Sequence, residues 1–530
     1  MKPGLVALGI DAPNTVLLDT WIASGDLPVL QRLQAEGATA RYSHTKQFRN
    51  ERCWDLFLYG QDLGRAGSTF LPDSYRYHND SPQRDTTLTP FYAQAGGRRV
   101  CVFDLPAPLV PGLDGLQVSG WGSELNVAAP MSMPPALIAE LERLHGPDPK
   151  LQVSMRVFDP VSGEPERSYV LPNLYDRAAT LHFKQGLLLA VQRRTQILLD
   201  LLQRGRWDLV LAVFVESHSA NHALWHLGED HPLADPSEGH AQREVMQAID
   251  TAIGRVLQAL PAGHPLMVYT LDHTVANTMD LPSMALLPEL LFRWNFPGQT
   301  ALAPGPSDPM ASPTMHWKHA VWSCCTAAAR PHLQSPAQQE ADGDPLSWNP
   351  ANWFRPLWPG MRAFALPSVS DGYIRLNVRG REAMGLVEPT DFDAVLDALT
   401  ELVLGLVNPH TGRAAVVRVV RTRRAPADDP HIPPDLIVCW DGQAPTDRLV
   451  SPALARDGAD GCLGPLPYFR SGGHVAHGER IENVCFVRGA GIPAGSRWRD
   501  GSLIDLPVTM LDLIGEPPPA AWAGRPLSAR

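Results

Sequence analysis

The chain has 530 residues, of which 44% are hydrophobic and 19% are charged, and this balance excludes a largely disordered protein. Its formal net charge of −11 excludes broad binding to nucleic acid or to an anionic membrane, because both require a basic surface. A small anionic substrate remains compatible with this charge, since bound divalent cations reverse the field locally.

No apolar stretch approaches the roughly 20 residues that a membrane-spanning helix needs, and the apolar run at 5–10 is too short for a signal peptide. The seven cysteines are odd in number and form no CxxC pair. Cys101, Cys439 and Cys485 lie in apolar, strand-like runs, which is typical of buried thiols. We therefore predict a cytoplasmic protein without a membrane partner. The excess of arginine over lysine favours a bacterial source, and a homo-oligomer is left open.

In chain order, short apolar runs alternate with longer amphipathic stretches. Strands are predicted at 5–10, 98–106, 207–217 and 265–273, and helices at 16–37, 177–205 and 243–260. This alternation predicts an α/β fold, in which helices cover both faces of a mostly parallel central sheet as an α/β/α sandwich.

The alternation stops at about residue 286. Prolines and tryptophans crowd the segment up to about 360, which predicts a long excursion over the surface, as a lid or a partner contact. Further elements are predicted as a hairpin at 363–380 that turns at Asp371-Gly372, a helix at 391–408, strands at 414–422, 434–440 and 483–489, and a closing helix at 503–515. The sequence thus predicts a core in residues 1–285 and 431–530, and an inserted lobe in residues 286–430.

Acidic and histidine side chains follow three of the predicted strands. The candidates are Asp11 after the first strand, Glu216, His218 and His222 after the third, Asp272 and His273 after the fourth, and His474 with His477 ahead of the strand at 483–489. The carboxyl ends of parallel strands meet at one edge of a sheet, and an i,i+4 histidine pair lies on one face of a helix. We predict a metal centre of Asp11, His218, His222, Asp272, His273 and His474. Glu216 is expected to orient a histidine ligand, and His477 to act as an outer partner or a proton shuttle in catalysis.

Several stretches also resemble one known family. They are GIDAPNTVLLDTWIASGDLPVLQRLQAEG at the start, WDLFLYGQDLGRAG, VESHSANHALW, YTLDH, AFALPSVSDGYIRLNVRGRE, PDLIVCW, and SGGH with NVCFVRGAGI. In this order they resemble the type I phosphodiesterase and nucleotide pyrophosphatase branch of the alkaline phosphatase superfamily. The resemblance implies an alkaline-phosphatase-like core and two divalent metal ions, zinc first, with manganese or iron as alternatives. It assigns Asp11, Asp272 and His273 to one ion, and His218, His222 and His474 to the other.

The chain departs from this family at two positions. Asn50 stands where the family has its Thr or Ser nucleophile, and His218 stands where an aspartate is expected. Asparagine cannot form a covalent phospho-enzyme, although its carbonyl oxygen can ligate a metal. The flanking Lys46, Arg49 and Arg52 are candidates for gripping an anionic substrate, or for pairing with surface acids.

Three functions follow from these departures. The first is a metal-dependent hydrolase of a phosphoester, phosphonate or related anion, with a metal-bound hydroxide as nucleophile. The second is a non-hydrolytic metalloenzyme with oxygen-using, lyase or isomerase chemistry on the same scaffold. The third is a catalytically dead binding protein.

Overall fold

A computed structural model describes most of the chain. It covers residues 4–47, 52–63, 68–78, 88–94, 96–122, 130–150, 172–227, 240–305, 316–423, 425–427, 433–455, 461–469 and 471–528. The strands of these ranges are β1 (Leu5–Asp11), β2 (Ala38–Thr45), β3 (Thr69–Leu71), β4 (Arg76–His78), β5 (Val100–Phe103), β6 (Gly115–Ser119), β7 (Met131–Met133), β8 (Leu209–Phe214), β9 (Leu266–Leu271), β10 (Thr274–Ala276), β11 (Ala363–Leu366), β12 (Asp371–Leu376), β13 (Val407–Asn408), β14 (Arg413–Ala414), β15 (Val416–Arg421), β16 (Leu436–Trp440), β17 (Leu449–Val450), β18 (Cys462–Leu463), β19 (Gly472–His474), β20 (Arg480–Arg488), β21 (Ser496–Arg497) and β22 (Gly501–Ser502).

The same ranges contain the helices. They are α1 (Thr15–Ser24), α2 (Pro28–Glu36), α3 (Arg52–Tyr59), α4 (Leu137–His145), α5 (Arg177–Gln203), α6 (Glu216–Leu224), α7 (Ala241–Ala259), α8 (Leu287–Asn295), α9 (Trp317–Ser323), α10 (Pro336–Ala341), α11 (Pro350–Trp353), α12 (Phe392–Leu404) and α13 (Asp505–Ile514). A π-helical turn, Pro282–Leu286, precedes α8. None of the described helices combines the length and the apolar character that crossing a bilayer demands.

A large, mostly parallel sheet forms the centre of the molecule. Within the described residues its order is β21-β2-β20-β9-β1-β8-β5-β6-β7, with β22 also on β2. The run from β9 to β6 is parallel throughout, while β20 and β7 join it antiparallel. The prediction of a mostly parallel central sheet is therefore confirmed.

Helices cover both faces of this sheet. On β1 the side chains alternate, so that Val6 and Leu8 pack with α1, α2, α5, α6 and α7, whereas Leu5 and Ala7 pack with α3 and α13. All four side chains are almost fully buried, as the unbroken apolar run requires of a strand covered on both sides. The predicted α/β/α sandwich is confirmed.

A second, antiparallel sheet forms the core of the predicted lobe. Its order is β11-β12-β16-β15, and α8, α9, α11 and α12 share its buried core. β16 (Leu436–Trp440) supplies one of its strands, so this sheet extends past the boundary predicted at residue 430. The hairpin turn also differs from the prediction, because Asp371 and Gly372 begin β12 and the turn lies at 367–370.

The tryptophan-rich segment is packed inside the lobe. Trp353 and Trp358 are fully buried, and the ring of Trp358 stacks on Phe364 with 4.7 Å between centroids. The predicted excursion over the surface is wrong for these residues. Their aromatic rings form one apolar core with the second sheet.

The helix predicted at 16–37 is two helices. Gly25 caps the C-terminal end of α1. Its φ of 83° lies in the left-handed region, which is common at helix C-caps and favours glycine. α2 then begins at Pro28, a position where the missing amide proton costs no helical hydrogen bond. The apolar periodicity continues through this break, and for that reason periodicity alone did not detect it.

Candidate metal centre

Three adjacent parallel strands end at the candidate site. β9, β1 and β8 lie side by side, and their carboxyl ends lead to Asp272, Asp11 and, in the first turn of α6, His218. All three side chains are buried, with exposed fractions of 4%, 4% and 7%. The topology therefore gathers polar groups from three distant segments at one sheet edge.

His474 reaches the same place on a short ladder. β19 pairs antiparallel with β10, and His474 lies opposite Thr274. The preceding Gly472 allows a close approach to α6, since a Cβ atom there would lie 2.3 Å from the carbonyl oxygen of Asn221. This close approach explains the glycine at position 472, two residues before His474.

Two histidine rings of α6 point their Nε2 atoms at each other. The Nδ1 atom of His218 lies 3.0 Å from Oδ2 of Asp11, and Nδ1 of His222 lies 2.8 Å from the carbonyl oxygen of Gly472. Because both of these partners only accept hydrogen bonds, each Nδ1 carries a proton and donates it. In the neutral form each ring then presents a lone pair at Nε2, and the two Nε2 atoms are only 2.9 Å apart. Two facing lone pairs repel unless a proton or a cation lies between them.

His474 completes a group of three imidazoles. One nitrogen from each of His218, His222 and His474 lies within 4.8 Å of the other two. Nδ1 of His474 is buried and makes no hydrogen bond to the residues described, and the same holds for Oδ1 of Asp11. Buried polar atoms normally have a partner, so these two atoms are consistent with a cation between the rings. The donor set fits a divalent transition metal such as zinc, which three histidines bind in open catalytic sites.

Burial favours the neutral form of two of these imidazoles, His222 and His474. It lowers the pKa of His222 to about 3, with a further lowering from the adjacent His218. Burial and the neighbouring histidines lower the pKa of His474 well below its usual value. A neutral imidazole is the form that ligates a metal, so burial favours the binding form of these two rings.

His273 contacts the start of α1. Its Nδ1 accepts a hydrogen bond from the backbone amide of Thr15 at 3.2 Å, and its Nε2 lies 3.4 Å from Nδ2 of Asn14. Burial lowers its pKa to about 4. The predicted set of Asp11, Asp272 and His273 is therefore not gathered as one group, since Asp11 also turns to His218.

Asp272 belongs to a different group that the sequence analysis missed. Ligand atoms of His44, Cys53 and Asp272 lie within 4.8 Å of one another, and all three side chains are buried. In the sequence of β2, polar residues alternate with Ala38, Ala40 and Tyr42, and this alternation could have placed His44 on the inner face. Cys53 in the first turn of α3 gives no comparable signal in sequence.

Lys46 and His477 both contact Asp371, the first residue of β12. Nζ of Lys46 donates to Oδ2 of Asp371 at 3.0 Å and to the carbonyl oxygen of Val475 at 2.6 Å. The backbone amide of His477 donates to both oxygens of the same Asp371. Lys46 is 2% exposed, and its charge is paired inside the protein. Its predicted contact with substrate stays a prediction, as does the catalytic role of His477.

Three predicted residues lie at the edge of what the structure describes. Arg49 and Asn50 are outside the described residues, and Arg52 begins α3 with a side chain that is likewise outside them. Their predicted roles stay predictions: substrate contacts for the two arginines, and for Asn50 a metal ligand or oxyanion donor at the family's nucleophile position.

Glu216 does not contact a histidine in the described part of the chain. Both of its carboxylate oxygens accept from Nε of Arg194, at 2.9 and 3.0 Å, and Arg194 also donates to Asp104 at 2.8 Å. All three side chains are fully buried. The predicted orientation of a histidine ligand by Glu216 is corrected, because the helix directs this carboxylate into a separate ion-pair network.

We expect Glu216→Gln to lower the free energy of unfolding by about 1–3 kcal/mol, because Arg194 would lose one of its buried anionic partners. Zinc affinity should not change. Urea unfolding and metal titration measure the two effects. Glu244→Gln is the matched control, since Glu244 pairs with Lys184 at the surface and should cost less than about 1 kcal/mol. Weaker zinc binding at unchanged stability would instead restore the orienting role.

Comparisons with known proteins show a similarity at the level of structure. No protein-family model matches the chain, and no curated protein matches it in sequence. Among solved structures, the chain is similar to the crystal structure of phosphonoacetate hydrolase from Sinorhizobium meliloti 1021 in complex with phosphonoformate. The sequences are 12% identical, the TM-score is 0.44, and the match covers 97% of this chain and 96% of that chain. A similarity of this size assigns no activity.

Proposed function

We propose that this chain is a metal-dependent hydrolase of a phosphoester, phosphonate or related anionic substrate. One observation carries the proposal: the Nε2 atoms of His218 and His222 face each other at 2.9 Å while their Nδ1 protons are both donated elsewhere. Together with His474, this arrangement favours a cation, for which zinc is the first candidate.

The surrounding residues hold the imidazoles in their binding orientation. Asp11 accepts from His218, and the carbonyl oxygen of Gly472 accepts from His222, so each ring has its tautomer and plane fixed by an outer partner. A divalent cation bound by the rings would lower the pKa of a water molecule and polarise a phosphoryl oxygen. Neutral imidazoles leave the positive charge of such a cation largely uncompensated, which favours an anionic substrate.

The nucleophile of the proposed reaction is a solvent water molecule. Asn50 stands at the family's nucleophile position, and an amide has no hydroxyl or thiol that could attack phosphorus. The motif resemblance supports membership of the alkaline phosphatase superfamily and of its phosphodiesterase branch. Within that proposal, the exchange of the nucleophile for Asn50 and the presence of His218 in place of an aspartate form one coupled change toward water-mediated hydrolysis.

The test begins with the metal content of the purified protein. We expect bound zinc or manganese and turnover of bis-p-nitrophenyl phosphate or a phosphonate monoester. A chelator should abolish this turnover, and added zinc should restore it. Native iron together with oxygen consumption and no ester cleavage would favour the non-hydrolytic alternative. Metal binding without turnover of any substrate would favour a binding protein.

Asn50→Thr tests the role of the nucleophile position. If the natural protein uses water, it should cleave the ester before any substitution is made, and the threonine variant should at most change the rate. Cleavage that appears only in Asn50→Thr would mean that the natural protein is not a phosphodiesterase.

A further inference from the structure

A second group of ligand-type side chains lies beside the three imidazoles. It consists of His44 on β2, Cys53 in the first turn of α3, and Asp272 directly after β9. We propose that this group binds a second divalent cation of the zinc type. The inference deepens the proposed function, on which it rests, by assigning ligands for a second ion that differ from the set predicted from the family resemblance.

The geometry of the group carries the proposal. One ligand atom from each residue lies within 4.8 Å of the other two, a spacing that a tetrahedral ion with bonds of about 2.0–2.3 Å can bridge with small side-chain movements. The three segments are distant in sequence, and the fold makes them converge in a buried place. The exposed fractions are 7% for His44, 0% for Cys53 and 4% for Asp272.

The carboxylate of Asp272 is buried, and its charge favours a cation in this group. Oδ1 of Asp272 accepts from the backbone amide of His273 at 2.8 Å, and Oδ2 lies 3.7 Å from Nδ1 of His474. A cation held by the three side chains would lie against this buried carboxylate and stabilise its charge.

The carboxylate also connects the two groups. Oδ2 of Asp272 lies 3.7 Å from Nδ1 of His474. An oxygen of the same carboxylate lies within 4.8 Å of ligand atoms of His44 and Cys53. Asp272 has a φ of 62°, in the left-handed region, and aspartate is among the few residues that tolerate this backbone. Cations in the two groups would therefore share one anionic neighbour, as paired ions in hydrolases do.

The chemistry of the donors selects the ion. Thiolate and imidazole favour zinc and disfavour magnesium and calcium, which prefer oxygen. Binding requires the thiolate form, so the thiol proton of Cys53 would pass to solvent as the ion enters. Nδ1 of His44 lies 3.5 Å from Nδ2 of Asn483, at the outer limit of a hydrogen bond.

Cobalt titration of the metal-free full chain tests the inference without any enzyme assay. We expect the wild-type protein to take up about two equivalents of Co²⁺ and to develop a thiolate-to-cobalt charge-transfer band in the near ultraviolet. Cys53→Ser should bind about one equivalent and lose the band. Cys101→Ser, the matched control with an equally buried thiol on β5, should keep both.

The failure of this inference can be distinguished from failure of the proposed function. His222→Ala should lose the other ion but keep the thiolate band, whereas turnover measures only the proposed hydrolysis. Cobalt-saturated wild-type protein without the band would overturn the second site, and so would folded Cys53→Ser that keeps two ions. If Cys53→Ser does not fold, His44→Gln carries the same test, because it retains the thiol and should still lose one ion.

Discussion

His222→Ala is expected to lower zinc affinity by more than about 100-fold and to abolish metal-dependent turnover at stoichiometric zinc. Loss of an outer partner of a metal ligand typically costs 10–100-fold, and removal of a ligand itself should exceed this. The variant removes one of the two facing Nε2 atoms and leaves His218 and His474 as the remaining imidazoles of the group. Competition with a chromophoric chelator measures the affinity.

Two further variants test whether the loss of zinc affinity is specific to the ligand His222. Asp11→Asn keeps an oxygen that can accept from Nδ1 of His218 but removes the charge, so zinc affinity should fall by only about 10–100-fold. His332→Ala removes an exposed imidazole that belongs to neither ligand group and should change nothing. If His222→Ala binds zinc as the wild type does, the three imidazoles are not the metal site.

The strand-end residues were predictable because parallel topology brings them together. Once strands are assigned at 5–10, 207–217 and 265–273, Asp11, His218 and Asp272 must lie at one edge of the sheet. The sequence could not say how they pair. Asp11 turns to His218 and Asp272 lies with His44 and Cys53, a partition that depends on side-chain directions in the packed structure.

Helical phase explains the error at Glu216. This residue also follows β8, and its strand-end position alone made it a candidate partner for the histidines. It precedes His218 by two residues, which on a helix is a rotation of about 200°, so the two side chains lie on different faces. The i,i+4 pair His218 and His222 shares a face by the same rule, and there the prediction of close approach agrees with the 2.9 Å distance.

Contacts between the lobe and the core were beyond reach of the sequence. Lys46 and Asp371 are separated by 325 positions, and each lies in a segment that reads as an ordinary strand end. The lysine was predicted to meet the substrate because of its place near Asn50. Only the folded chain shows that the carboxylate at the start of β12 neutralises it.

This buried ion pair leads to the second large effect. We expect Lys46→Met to lower the free energy of unfolding by about 3–5 kcal/mol, because Asp371 would keep its charge in a fully buried place without a cationic partner. Urea unfolding measures the change. Arg41→Met is the matched control, since Arg41 and Asp19 form a partly exposed pair that should contribute less than about 1 kcal/mol.

The double variant Lys46→Met/Asp371→Asn separates charge from packing. Without the stranded carboxylate, the double variant should be less destabilised than the sum of the single variants, which is the sign of direct coupling. Lys46 also donates to the carbonyl oxygen of Val475, the residue after His474, so its loss should loosen that imidazole as well. We therefore expect weaker zinc binding in Lys46→Met than in Arg41→Met. Equal stability of those two variants would mean that the pair does not join the lobe to the core in solution.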